Sequence, residues 1–162
     1  MSEHVVILGG GTGGSVLANG LAERLEPELA ADEVRVTLLN DGPDHVYKPV
    51  WLYVPFGLRE PEDGRRPLAD LVDDRVDVRE ARVTGIDTDE KALTCRDSHR
   101  PVEYDHLVIA TGSTLASGEV PGLEAGGHNY YSESGAEALR DELLSFDSGH
   151  LVLSVVGSPH MC

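Results

Sequence analysis

Cations are scarce in this sequence. Its 13 Lys and Arg stand against 29 Asp and Glu, a formal net charge of −16 over 162 residues. That deficit argues against a nucleic-acid partner, because binding the phosphate backbone draws on a surplus of Lys and Arg to displace condensed counterions. The acidic residues run through the chain rather than collecting in a tail. The spread reads as the solvated acidic surface of a protein from a high-salt organism; the alternative is an ordinary acidic protein kept soluble by self-repulsion. Cysteine is also sparse, with only Cys95 and Cys162, so neither a disulfide framework nor a zinc-ligand pattern can be written. Cys95 ends the strand-like run Ala92-Leu93-Thr94-Cys95 and reads as an inert, packed thiol. Long apolar runs are missing too, and the N-terminus has no basic-then-apolar leader. We therefore expect a cytoplasmic protein, or one peripheral on a membrane. No repeat or low-complexity segment stands out.

Against these absences, 40% of the residues are hydrophobic, enough for one domain with a real core. Residues 4–8, His-Val-Val-Ile-Leu, form an apolar run of strand length, and Gly9-Gly10-Gly11-Thr12-Gly13-Gly14 follows directly. Val16, Leu17, Leu21 and Leu25 then recur at helical spacing. Strand, glycine turn and helix make the phosphate end of a dinucleotide-binding βαβ unit. Gly9 permits the sharp turn, Gly11 lets backbone approach a pyrophosphate, and Gly14 lets the helix pack closely. Thr12 opens a helix whose free amides and positive dipole end suit phosphate.

Residues 34–39, Val-Arg-Val-Thr-Leu-Leu, read as the second parallel strand. The position that ends it faces the adenosine ribose in such units and is usually acidic. Here it is Asn40, followed by Asp41. Asn40 can bond ribose hydroxyls and Asp41 can supply the carboxylate. No arginine stands at that position in the chain, which disfavours a 2′-phosphate. Residues 45–57 then gather Tyr47, Trp51, Tyr53 and Phe56, either as a cover for the core or as a loop lining a flat ring system. Arg65 and Arg66 read as partners for nearby carboxylates. A short helix is expected over residues 68–72, and short strands over 76–79, 81–87, 92–95 and 102–104 form an inserted meander. Residues 105–112, Asp-His-Leu-Val-Ile-Ala-Thr-Gly, give a parallel strand ending in small residues that press against a cofactor. Ser134-Gly135-Ala136-Glu137 reads as a capping box, with Ser134 at the cap, opening a helix that carries Ala136, Leu139 and Leu143 on one face. Residues 151–156, Leu-Val-Leu-Ser-Val-Val, read as a further buried strand, and Gly-Ser-Pro-His-Met-Cys follows it.

The pair Gly9-x-Gly11-x-x-Gly14 and Tyr104-Asp105-x-Leu107-Val108-Ile109-Ala110-Thr111-Gly112 resembles the two-dinucleotide-binding-domain flavoproteins. The resemblance covers nearly the whole chain. It implies an α/β, Rossmann-like FAD-binding domain with a parallel sheet and an inserted antiparallel meander over residues 1–115. A linker and the start of a second, degenerate NAD-binding-like domain would occupy 116–162. The first glycines would hold the FAD pyrophosphate, the backbone near Val83 would lie beside the adenine, and Ala110, Thr111 and Gly112 would approach the pyrophosphate and flavin.

Within that group the chain resembles the N-terminal part of sulfide:quinone oxidoreductases. Lys48 and Pro49 stand where that family's loop touches the isoalloxazine. NADH-using relatives carry a second glycine-rich cradle after the strand at 151–156. This chain has Gly157-Ser158-Pro159-His160-Met161-Cys162 there, and Pro159 both removes an amide donor and fixes the turn. The family's G-x-P-x-K-C-like segment implies a redox cysteine at Cys162, although Met161 replaces the usual lysine. A second cysteine common in the family before the helix at 134–146 is absent from residues 129–134. The partners implied are sulfide and a membrane quinone, with membrane contact through a C-terminal part beyond this sequence and homo-oligomers possible in such proteins. The chain is expected to be an N-terminal piece, inactive by itself. The competing expectations are an NAD(P)H-dependent FAD oxidoreductase and a catalytically silent FAD-binding module.

Overall fold

Alternation along two strands divides the molecule into layers. The computed structural model describes residues 2–96 and 98–155. In β1 (Glu3–Leu8) and β2 (Val34–Asn40), Val5, Ile7, Val36 and Leu38 face one side of the sheet. Val6, Leu8 and Leu39 face the other. The period of two is that of strands buried on both faces, so each β-branched or leucine side chain finds a core whichever way it points.

Helix α1 (Thr12–Arg24) covers the first face, and the short α2 (Glu26–Ala30) returns the chain to β2. The buried stripe of α1 is Gly14, Ser15, Ala18 and Ala22. This corrects the expectation built on Val16, which is 66% exposed. Leu17 and Leu21 pack only at the edge of the core. Small side chains let the helix axis come close to β1 and β2, and a bulky stripe would hold it away.

Two short strands, β3 (Asp44–Val46) and β4 (Arg65–Pro67), pair antiparallel. Between them the aromatic segment folds into short 3₁₀ turns, Lys48–Leu52 and Val54–Phe56. Leu68–Asp70 is a single 3₁₀ turn where a short helix was expected.

The strand at β5 (Asp77–Glu80) is not part of the meander. It pairs parallel with β2. The meander is β6 (Val83–Asp87), β7 (Ala92–Cys95) and β8 (Val102–Glu103), closing over the second sheet face through Leu93, Val83, Val102 and Tyr104. Strand β9 (His106–Ile109) returns parallel to β1, giving the order β5-β2-β1-β9. This is the order of the first half of a doubly wound sheet, with β1 central and crossovers leaving on either side.

Tyr104 and Asp105, which precede β9, fasten the layers. Tyr104 Oη donates to the Asp87 carbonyl at 3.2 Å. Asp105 Oδ2 accepts from the His4 amide at 2.7 Å, while its own N–H donates to the His4 carbonyl at 2.9 Å. That exchange fixes β9 in register with β1.

Beyond β9 come a 3₁₀ turn, Ser117–Glu119, the single-turn α3 (Leu123–Gly126) and the longer α4 (Glu133–Ser145). The cap of α4 is Ser132, whose side chain accepts from Gly135 N at 3.1 Å; Ser134 already lies inside the helix. Ala136 packs against Trp51 and Val54, so the aromatic segment provides the seat for α4. Arg65 pairs with Glu133 rather than with a carboxylate near it in the chain, and Arg140 pairs with Glu60 at 3.0 Å. Arg66 donates to the Arg65 carbonyl at 2.6 Å and makes no ion pair among the described residues.

The strand expected at 151–156 is not formed over residues 151–155. Leu151, Val152, Leu153 and Val155 are 68–81% exposed there. No described strand lies beside them, so their backbone has no ladder to join. Val156 and the segment from Gly157 to Cys162 lie outside the described residues.

Candidate functional site

The carboxyl ends of β1, β2 and β9 meet in one rim, and the glycine loop is its centre. Gly9 N–H donates to the Leu39 carbonyl at 2.8 Å, and Ala110 N–H donates to the Leu8 carbonyl at 2.8 Å. Gly9 has φ +111°, and a Cβ there would fall 2.5 Å from the Ala110 oxygen. Only glycine supplies both the turn and the close approach. A Cβ on Gly14 would fall 1.8 Å from the Gly9 oxygen, so the loop and the first turn of α1 are in direct backbone contact. A Cβ on Gly10 would meet the Leu68 side chain at 2.4 Å and the Asn40 side chain at 2.9 Å.

Gly11 and Gly13 differ: a Cβ on either would meet nothing within 4 Å. Three glycines thus look into the protein and two into open space. The first turn of α1 has no side-chain cap and no acidic residue, which leaves its N–H groups and positive dipole end available to an anion. Thr12 is exposed at the head of that turn. The arrangement can hold a pyrophosphate by backbone donors alone.

Asn40 is tied into the glycine loop and the turn after β2. Its Oδ1 accepts from Gly10 N–H at 2.8 Å, and its Nδ2 donates to the carbonyls of Gly42 at 2.8 Å and Asp44 at 3.3 Å. Both amide hydrogens serve the protein, and the side chain braces the loop. Asp41 is exposed, and its carboxylate lies 3.1 Å from Arg82. The sequence places no arginine at the end of β2, but the fold brings one there from 41 positions along the chain. An ion pair this exposed contributes only about 0–1 kcal/mol; its importance is that Arg82 and Asp41 stand together beside the end of β2.

Val83 opens β6, opposite Cys95, and packs into the meander core. It is tied to the rim because Ala81 N–H donates to the Asn40 carbonyl at 2.7 Å. Thr111 is exposed beside Gly9, and Gly112 has φ +70°. Gly9, Gly11, Thr12, Gly14, Asn40, Asp41, Ala110, Thr111 and Gly112 therefore share one edge. Lys48 and Pro49 are exposed at the start of a 3₁₀ turn, and no described contact joins them to that edge. Cys162 lies outside the described residues. Cys95 is buried, which pushes its thiol pKa up and keeps it protonated, in keeping with an inert role.

Sequence reasoning passed over His45, His4 and Arg82. His45 Nδ1 sits 3.0 Å from the Gly10 carbonyl. His4 is buried in β1, with Nε2 2.8 Å from Thr37 Oγ1 and Nδ1 2.6 Å from the Glu103 carbonyl. Arg35 Nη2 lies 2.9 Å from that same Nδ1. Burial pushes the His4 pKa down, and the guanidinium groups of Arg35 and Arg79 act in the same direction against Glu103 and Asp105. A polar residue inside the apolar run at 4–8 was the available signal for His4. Nothing local marks Arg82.

Comparison with known proteins agrees with this geometry. The sequence profile of the pyridine nucleotide-disulphide oxidoreductases matches residues 3–158, and the chain belongs to that family. It is 36% identical over 119 residues to a sulfide-quinone reductase of Aquifex aeolicus, covering 73% of this chain and 26% of that protein. It is 34% identical over 112 residues to a type II NADH:quinone oxidoreductase of Staphylococcus haemolyticus, covering 68% of this chain and 26% of the relative. The solved sulfide:quinone oxidoreductase of Aquifex aeolicus superposes with a TM-score of 0.73 at 27% identity, over 88% of this chain and 32% of that one. The chain thus spans about a quarter to a third of the proteins it matches.

Proposed function

We propose that this chain carries the FAD-binding part of an oxidoreductase of the sulfide:quinone type, in which sulfide is oxidised, Cys162 supplies the reacting sulfur, and a membrane quinone receives the electrons. The observation that carries the cofactor assignment is the split in the glycine loop. Gly9, Gly10 and Gly14 are closed against protein while Gly11 and Gly13 face open space at an uncapped helix start. The residues fit the pyrophosphate of a dinucleotide: Gly11, Thr12 and Gly13 offer backbone donors, Asp41 and Arg82 flank the adenosine end, and Thr111 and Gly112 lie at the opposite side of the loop. FAD, when bound, supplies a two-electron acceptor. The chain's own residues bind and orient it, and the carboxylates near the rim leave the phosphate contacts to amides.

The sulfide assignment rests on the likeness to sulfide-quinone reductases and on Gly157-Ser158-Pro159-His160-Met161-Cys162, where proline stands in place of a glycine cradle. Joining a hydrosulfide sulfur to the Cys162 sulfur releases two electrons and a proton. Cys162 would therefore hold the sulfur while the two electrons would go to bound FAD and on to the quinone; the thiolate form of Cys162 would favour this. The likeness to a type II NADH:quinone oxidoreductase favours a second reading, in which NADH is the donor. Anaerobic spectroscopy on the complete reading frame containing this chain separates them. We expect a yellow protein whose flavin band bleaches on adding sulfide, and loses at least about 100-fold in that rate on Cys162→Ser, the scale of removing a reacting nucleophile. Bleaching by NADH and not by sulfide would establish the second reading instead. A yellow protein that neither sulfide nor NADH bleaches would leave only a silent FAD-binding module.

A further inference from the structure

We propose that His45 and Asn40 are positioning residues that clamp Gly10 from both sides and thereby aim the Gly11 amide at the bound pyrophosphate. The inference rests on the dinucleotide reading of the loop. Three consecutive glycines have little steric preference, so each peptide plane between them could rotate freely. The structure holds two of those planes. Asn40 Oδ1 accepts from Gly10 N–H at 2.8 Å, and His45 Nδ1 donates to the Gly10 carbonyl at 3.0 Å.

A trans peptide points its C=O and its N–H in opposite directions. Holding the Gly10 carbonyl inward on His45 therefore turns the Gly11 N–H outward, and Gly11 is the glycine with open space before it. Holding Gly10 N–H inward on Asn40 turns the Gly9 carbonyl the other way, toward Gly14, where a Cβ would fall 1.8 Å from it. The clamp is itself braced. Asn40 Nδ2 is anchored on the Gly42 and Asp44 carbonyls, and His45 sits in the ladder of β3 opposite Arg66. With its hydrogen on Nδ1 the His45 ring presents the donor that the Gly10 carbonyl requires. At the end of β2 the chain has a brace for the phosphate loop.

The test is ADP binding by calorimetry, with amide exchange of Gly10 and Gly11 followed by NMR. In the unsubstituted protein Gly10 N–H should exchange slowly and Gly11 N–H fast. Equal, fast exchange at both would overturn the clamp without any variant. His45→Leu should weaken ADP binding about tenfold, the scale of one lost hydrogen bond. His45→Asn, which returns an N–H donor at similar reach, should recover most of it, and a role in packing alone would give no such recovery. Wild-type affinity in folded His45→Leu overturns the clamp and leaves the dinucleotide reading intact. No ADP or FAD binding by the unsubstituted protein overturns both.

Discussion

Single atoms decide much at the glycine loop, and they separate stability from binding. A methyl group at Gly14 has to displace the Gly9 backbone, so Gly14→Ala should destabilise the protein by on the order of 3 kcal/mol in denaturant unfolding. Gly11→Ala meets no neighbour and should change the unfolding midpoint little. It should still weaken ADP or FAD binding about tenfold, because its Cβ occupies the space a phosphate needs. Equal effects of the two substitutions on stability would contradict the inward and outward division of the loop. His4 makes a second prediction at this scale. Its folded pKa lies below the ordinary 6.5, so the unfolded chain takes up the proton first and the folded state is penalised on the acid side. Stability from this site is fully present above about pH 6.5 and declines as pH falls through that value. Arg35 and Arg79 face the ring and strengthen the trend, while Asp105 and the Glu103 carbonyl oppose it. His4→Gln should flatten the loss of unfolding free energy between pH 7 and pH 5; an unchanged slope would remove His4 as its source.

Helix ends and strand partners act at the scale of elements. The cap on α4 is Ser132, two residues before the start legible in the sequence. Both serines suit a cap, and the sequence offered a glutamate three residues after Ser134. The deciding contact is tertiary: Asn129 Oδ1 accepts from Ser132 N–H and from the Ser132 hydroxyl, each at 3.1 Å, and so sets the chain's entry into the helix. Ser132→Ala should lower stability by about 1 kcal/mol, and Ser134→Ala should be close to neutral, both read by thermal unfolding. Residues 151–155 had the composition of a buried strand and the structure leaves them exposed. Periodicity and β-branching report what a segment can do next to a partner strand, and they do not supply the partner. An apolar run with unpaired backbone groups is a template for association. The purified 162-residue chain should therefore self-associate with rising concentration, and Val152→Lys with Val155→Lys should reduce that association in light scattering.

The whole molecule carries −16 formal charges, and its stability should follow ionic strength. Screening shortens the reach of repulsion from about 10 Å at 0.1 M salt to about 3 Å at 1 M, so the melting temperature should rise over that range. A fall would mean that the ion pairs of Arg65, Arg75, Arg79, Arg82 and Arg140 outweigh the surplus of carboxylates. At this scale the sequence by itself determined the strand, glycine turn and helix at residues 4–25, the parallel strand at β9, and the Rossmann-like fold class. Each of these depends on neighbours in the chain: apolar spacing, consecutive glycines, small residues after a strand. The tertiary structure decided what Asn40 touches, that Arg82 stands beside Asp41, that β5 joins the parallel sheet, and that small residues rather than Val16 form the buried stripe of α1. Those outcomes depend on distances between residues tens of positions apart. Such distances are set by how helix, sheet and meander pack on one another, and no local pattern of side chains encodes them.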